Sequence, residues 1–197
     1  MRFALSLMLS SILIAPAARA IELSQRGDVA MLSGSIAIGD DRKLRDFLAL
    51  PTGSRIKTLY LNSPGGKVLE AREMARMIRA AGLTTVVDAS RARCNSACTG
   101  LFIGGLRRLY INASGFSDGE IARGSLGLGF HEGNVARGAS GRKVYSGRAS
   151  GGMINTYYEM GVGSAAALVS KADFNRIYRI SGSTALALGI ATSLSPP

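Results

Sequence analysis

The sequence predicts an α/β domain whose core strands run largely parallel, and three successive stretches carry that prediction. A β-rich run, "IKTLYLN" (56–62), stops at the turn signal "SPGG" (63–66). An amphipathic run follows, "KVLEAREMARMIRAAG" (67–82), with Val68, Ala71, Ala75 and Ile78 on one face and Arg72, Arg76 and Arg79 displaced from it. Then "LTTVVDA" (83–89) returns to strand character. Strand, turn, helix and strand at this spacing form the unit from which parallel sheets are built.

The remaining elements extend the alternation in both directions. The first twenty residues, "MRFALSLMLSSILIAPAARA", place Arg2 before an apolar stretch from Phe3 to Ala15 and end in the small-x-small group Ala18-Arg19-Ala20. That is the three-part pattern of a cleavable secretory leader. Its apolar run is shorter than the roughly 20 residues that span a bilayer, and no later run is longer without glycine or charge. A leader over 1–20 and one periplasmic or secreted domain over 21–197 are therefore expected, with an uncleaved N-terminal anchor as the alternative. Within the domain, "MLSGSIAI" (31–38) reads as a strand. "DDRKLRDFLAL" (40–50) reads as a helix with acids at its positive end and a stop before Pro51. Gly82 closes the helix over 67–82.

After the strand at 83–89, "SACTGLFIGG" (96–105) reads as a short buried helix, and "RRLYIN" (107–112) and "LGLGFH" (126–131) as strands. Between those two strands lies "ASGFSDGEIARGS" (113–125), and after the second comes "EGNVARGASGRKVYSGRASGG" (132–152); both are polar, glycine-bearing and expected as surface loops. The C-terminal third, from "MINTYYEMGV" (153–162) to "TALALGI" (184–190), is expected to be mostly helical before it runs out in "ATSLSPP".

Length and charge narrow the function. About 177 residues follow the leader, enough for one domain with a real core. The formal charge is +11, or near +9 without Arg2 and Arg19, but the remaining Lys and Arg are scattered singly and in pairs. No dense cluster is interleaved with aromatics, so specific nucleic-acid binding is not expected, and electrostatic association with an anionic envelope surface is. A single histidine and two cysteines leave a zinc site short of ligands, so neither metal nor cofactor is expected. An even pair of cysteines in an exported chain suggests a disulfide between Cys94 and Cys98. Four residues apart on a regular helix is near the upper limit of disulfide reach, so a bridge requires a bend before the helix. Two reduced thiols in a packed elbow stay open as the other possibility.

Three places could do chemistry. Ser96 follows a strand and begins a helix, where a tight elbow exposes a hydroxyl to the helix N-terminus; it could equally be a helix cap. The Pro-Gly-Gly turn leaves N–H groups of Gly65 and Gly66 without intrahelical partners, and such donors can hold an oxyanion. His131, the only histidine, ends a strand, and imidazole is the side chain suited to take a proton from serine near neutral pH.

Taken together, "YLNSPGGKVLEAREMARMIRAAG", "CNSAC" and "GFHEG" resemble the Clp protease proteolytic subunit and its relatives in the crotonase superfamily, over about residues 55 to 193. The resemblance implies the Clp protease/crotonase superfold, stacked right-handed ββα units with a helical C-terminal part. It further implies a serine peptidase in which Ser96 attacks, His131 relays the proton, Asp173 orients the ring, and the N–H groups of Gly66 and Ala97 form the oxyanion hole. Ser63 would be structural. Asp173 lies sixteen residues before Gly189, somewhat more than the family pattern, and could instead cap the segment after it. The cysteines and the leader look more like exported members of the group than like the cytoplasmic protease.

Two rivals accompany this reading. A related group, signal-peptide peptidase A, pairs serine with a lysine base, a role open to Lys143. The flanks of Lys143, "GRKVYSG", look solvated, whereas a lysine base needs desolvation. An envelope binding or assembly module that kept the fold and lost turnover is the non-enzymatic rival. A coenzyme A enzyme fits poorly with an external address. The resemblance also implies a peptide or protein substrate and a homo-oligomer assembled through C-terminal helices, with Met153 to Leu168 as the interface.

Overall fold

The computed structural model describes residues 20–138 and 140–197. The expected leader lies outside the described residues except for Ala20, which bridges Ser35. Among the described residues no helix is long and apolar enough to cross a membrane.

The main sheet has five strands. β1 (Glu22–Arg26) and β2 (Val29–Ser33) form an antiparallel hairpin, and β2 then pairs in parallel with β3 (Thr58–Asn62). β4 (Thr84–Asp88) pairs in parallel with β3, and β6 (Arg107–Ile111) with β4. Three helices make the crossovers: α1 (Asp40–Ala49), α2 (Val68–Ala80) and α3 (Ala97–Gly104). α2 turns Ala71, Met74, Ala75 and Ile78 inward, which is the face its sequence period marks. α3 is buried along its whole length because apolar and small residues fill all of its sides.

A second sheet stands beside the first. β5 (Arg93–Asn95) pairs in parallel with β8 (Gly127–Phe130), and β11 (Arg176–Arg179) lies antiparallel between β8 and β7 (Gly119–Ala122). A bridge between Ser63 and Cys94 joins the two sheets at the end of β3, so "NSPGG" and "CNSAC" meet where they cross. A separate hairpin, β9 (Asn134–Arg137) and β10 (Arg142–Tyr145), leads into α4 (Gly147–Glu159), and α5 (Gly182–Ala187) closes the fold.

Several expectations need correction. The stretch expected as loop over 113–125 contains β7, and that over 132–152 contains β9, β10 and the start of α4. The C-terminal third is less helical than expected: a 3-10 segment, Gly163–Lys171, and β11 separate α4 from α5. In each case sheet pairing overrides weak local preference, because these strands are short and mostly half-exposed.

Candidate active site

Ser96 sits between β5 and α3 with φ 56° and ψ −130°. A residue with a Cβ rarely adopts positive φ, and holding one there costs about 1–3 kcal/mol that the surroundings must over-determine. The surroundings do so from every side. Ser96 N–H donates to Gly129 O at 2.8 Å, Asn95 N–H to Ser63 O at 3.1 Å, and Ser63 N–H to Arg93 O at 2.7 Å. Thr99 returns two bonds to Ser96 O, from its N–H at 2.9 Å and its hydroxyl at 2.6 Å.

Cys94 and Cys98 are joined by a disulfide, with Cα atoms 5.1 Å apart. The bend at Ser96 supplies the closeness that a regular helix does not, so the cystine ring encloses the strained residue. Both cysteines are fully buried.

The Pro-Gly-Gly turn packs directly on this loop. A Cβ built on Gly65 would lie 2.5 Å from Asn95 O and 2.8 Å from Ser96 Cβ, and Gly65 has φ +89°. Only glycine satisfies both the approach and the conformation. Ser63 is structural: buried, it accepts Gly65 N–H on Oγ at 3.1 Å and fixes the turn. A bridge with Ile36 uses Gly65 O and Lys67 N–H, which leaves Gly66 N–H unspent among the described residues. Ala97 opens α3, so its N–H has no intrahelical acceptor. The two donors expected for an oxyanion hole thus lie on the two loops that meet at Ser96.

Ser96 and Gly66 line a cavity of about 720 Å³, walled by the segment from Pro64 to Glu70, by Ile36 and Ile38, by β9 and β10, and by the start of α4. Ser96 Oγ points to Met153 Sδ at 3.9 Å. Met153, Ser146 and Arg148 are site residues that the sequence did not single out. Ser146 alone left a signal, as the serine that caps α4 by accepting Ala149 N–H.

His131 follows β8 directly. β5 and β8 pair in parallel as far as Asn95 opposite Gly129, so Ser96 comes directly after the paired stretch on one strand and His131 two residues after it on the other. The imidazole is buried, and its Nδ1 bonds the backbone carbonyl of Glu132. A carbonyl only accepts, so Nδ1 carries the proton and Nε2 presents a lone pair. Nε2 is buried without a partner. Burial holds the ring below its ordinary pKa of 6.5; the Glu132 bond opposes that shift, and the charges of Arg123 and Lys143 add to it. The ring is therefore neutral at pH 7.

Asp173 makes no hydrogen bond to His131 and instead bonds the backbone just after it, as its capping alternative expected. It is exposed at the approach to β11, where Oδ1 accepts Asn175 N–H at 2.6 Å, and its effect on His131 is the weakest of those acting on the ring. Serine, histidine and aspartate are thus not joined in a hydrogen-bonded chain: Ser96 Oγ faces Met153 Sδ, His131 Nε2 has no partner, and the Glu132 carbonyl occupies Nδ1. A short polar side chain just before a strand bonds the backbone two residues on, and that local turn competes with any longer reach. Lys143, on β10, lines the same cavity as Ser96 but is exposed. Among the described residues no three His, Cys, Asp or Glu side chains converge as a metal site would require.

No family model matches the chain, and no curated protein matches it in sequence. Solved structures do match in shape. The 1510-N membrane-bound stomatin-specific protease is similar at TM-score 0.59 and 14% identity, over 85% of this chain and 74% of that one, in a form with a lysine replaced by alanine and a substrate peptide bound. A form of the same protease with a serine replaced by alanine is similar at TM-score 0.58 and 13% identity, over 85% and 78% of the two chains. A protein named as an enoyl-CoA hydratase from Streptomyces avermitilis is similar at TM-score 0.51 and 13% identity, over 91% and 69%. At such identities likeness shows the fold, and the chain has the Clp protease/crotonase fold, a scaffold shared with peptidases.

Proposed function

We propose that the protein is a serine hydrolase, a peptidase that cleaves peptide or protein substrates in the cavity above Ser96. The observation that carries this reading is the strained, cystine-enclosed Ser96 beside two unspent N–H donors, on the floor of a cavity large enough for several side chains. Backbone strain of this kind collects where a side chain must be aimed.

In the proposed mechanism, Ser96 rotates about χ1 from Met153 towards His131 Nε2, the lone pair left open by the Nδ1–H tautomer. Nε2 takes the hydroxyl proton as Oγ bonds to the substrate carbonyl carbon, and the carbonyl oxygen becomes an oxyanion held by Gly66 and Ala97 N–H. The imidazolium then passes its proton to the leaving amine as the C–N bond breaks. Water repeats the sequence on the acyl-enzyme and restores Ser96. The Glu132 carbonyl fills the orienting role that an aspartate has in a triad, fixing the tautomer without a full charge.

A second reading has its own support. Lys143 lines the cavity with Ser96, and the similar protease structures carry replacements of a serine and of a lysine. A fluorophosphonate probe tests both readings. Mass spectrometry should find one adduct, on Ser96, and none in Ser96→Ala. Absence of labelling in the folded wild-type protein would overturn the hydrolase and favour the binding module. His131→Gln should slow labelling by about 100-fold or more and Lys143→Met by less than about threefold; the reverse order would transfer the base to Lys143.

Export is part of the proposal, supported by Arg2, the apolar run and Ala18-Arg19-Ala20. N-terminal sequencing of protein recovered from outside the cytoplasm should begin at Ile21, and an intact Met1 would refute the cleavage.

A further inference from the structure

The ionisable groups lining the cavity are strongly unbalanced. Lys67, Arg123, Lys143 and Arg148 line it with a single carboxylate, Glu70. The four cations come from four parts of the fold: the cap of α2, the turn after β7, the strand β10 and the first turn of α4. They therefore stand on different walls rather than along one stripe. Among the described residues none of the four has a carboxylate partner. Five of the acids pair with other arginines: Glu159 with Arg72 and Arg76, Glu73 with Arg76, Asp88 with Arg91, Asp41 with Arg45, and Glu120 with Arg176. The first turns of α2 and α4 also lie on the walls, adding the partial positive charge of helix N-termini. Charge of one sign around a low-dielectric concavity focuses its field inward.

The same walls carry apolar side chains left in solvent. Ile38 is 74% exposed, Leu69 72% and Val135 40%, and all three line the cavity. Among the described residues no aromatic one does. That combination argues against a nucleic acid, which would require ring faces for base stacking. It suits a chain that presents apolar side chains next to carboxylates.

We infer that the cavity selects acidic peptide segments, with Asp or Glu flanking an apolar residue at the cleavage point. The inference rests on the peptidase reading of the cavity, because it names the substrate of that same site. Bound substrate would also remove water from Lys143 and neutralise the cations that face His131.

The test is binding by Ser96→Ala, read as fluorescence anisotropy, of three dye-labelled peptides that share an apolar centre and carry Asp/Glu, Ser/Gln or Lys/Arg flanks. The acidic peptide should bind about tenfold more tightly than the neutral one at low salt, with most of the difference lost near 0.5 M NaCl and the basic peptide weakest. The same order should appear in protection of wild-type Ser96 from the fluorophosphonate, which does not depend on how the variant folds. Lys67→Gln with Arg148→Gln should remove most of the preference. Arg55→Gln, an exposed arginine outside the cavity, should leave it intact.

Equal binding of the three peptides would overturn the inference. So would equal losses in Arg55→Gln and the cavity variants, which would assign the effect to net charge, or equal competition by a single-stranded oligonucleotide. Labelling without charge preference sinks the inference and leaves the hydrolase standing. Charge-selective binding without labelling sinks the hydrolase and the cleavage point, and leaves only the acidic selectivity of the cavity.

Discussion

The two sides of the cavity are built to different standards. On one side Ser96 is held by a cystine, by backbone bonds to β8 and to α3, and by a glycine packed against its Cβ. On the other, β9 and β10 pair only with each other and expose Arg142, Lys143 and Tyr145. His131 is fully buried yet has one nitrogen unpaired. The difference teaches where accuracy resides. A nucleophile's backbone must be set before substrate arrives, since a misplacement of about 1 Å costs about 100-fold in rate. The wall that meets the substrate stays open until something covers it.

If that contrast holds, the largest effects belong to the Ser96 side. Gly65→Ala forces a Cβ to within 2.5 Å of a backbone oxygen at φ +89°. It should destabilise the fold by about 3 kcal/mol or more, a fall in Tm of about 10 °C, and abolish probe labelling. Gly115→Ala meets nothing within 4 Å and should be neutral in both measurements. Similar Tm values for the two variants would show that the turn is not packed as described.

The cystine comes next. Cys94→Ala with Cys98→Ala opens a ring of five residues, which the chain-entropy account values at about 2 kcal/mol. Labelling should slow further than the loss of stability explains, because Ser96 is then free to leave positive φ. Unchanged labelling in a protein of lower Tm would assign the aiming of Ser96 to its backbone bonds alone.

How legible each side was in sequence follows the same division. β3, the "SPGG" turn, α2 and β4 were readable because strand, punctuation and a 3.6-residue apolar period agree there. The cystine was readable as one of two options, since the bend that decides it is a backbone angle at Ser96. The hairpin was not, because "NVAR" and "RKVY" bury almost nothing and so lack an apolar alternation. The partner of His131 was invisible for a different reason: a backbone carbonyl leaves no mark in sequence, whereas an aspartate at nearly the expected spacing does. Asp173 drew the expectation that Glu132 O fills.

Titration separates the two candidate bases. With burial holding His131 below 6.5 and its Nε2 open, labelling should rise with pH through a midpoint under 6.5 and then level off. A lysine base would instead keep the rate climbing into the alkaline range. Stability should follow the histidine with the matching sign. Between its lowered folded value and 6.5 the unfolded chain binds the proton more readily. The contribution is thus complete above 6.5 and lost as pH falls through that window. His131→Gln, compared with wild type by denaturant midpoints across pH 5 to 7.5, should flatten the slope, and an equal slope in both proteins would mean that other groups set it.

The smallest effect is expected at Asp173, and it bears most directly on the relay. In a serine–histidine–aspartate triad, exchanging the aspartate for asparagine costs about 10⁴-fold, because the ring loses its tautomer and its counter-charge. Here the tautomer is held by Glu132 O, and the Asp173 carboxylate is exposed and bonded to Asn175 N–H. Asparagine keeps an oxygen that accepts that N–H, so Asp173→Asn should leave Tm within about 2 °C and labelling within about threefold. Removing that negative charge should lower the midpoint of His131 slightly, the direction opposite to its present effect on the ring. A loss of 100-fold or more at unchanged Tm would mean that Asp173 swings onto Nδ1 when substrate binds, displacing the carbonyl. The approach to β11 would then complete, on binding, a triad that the resting site lacks.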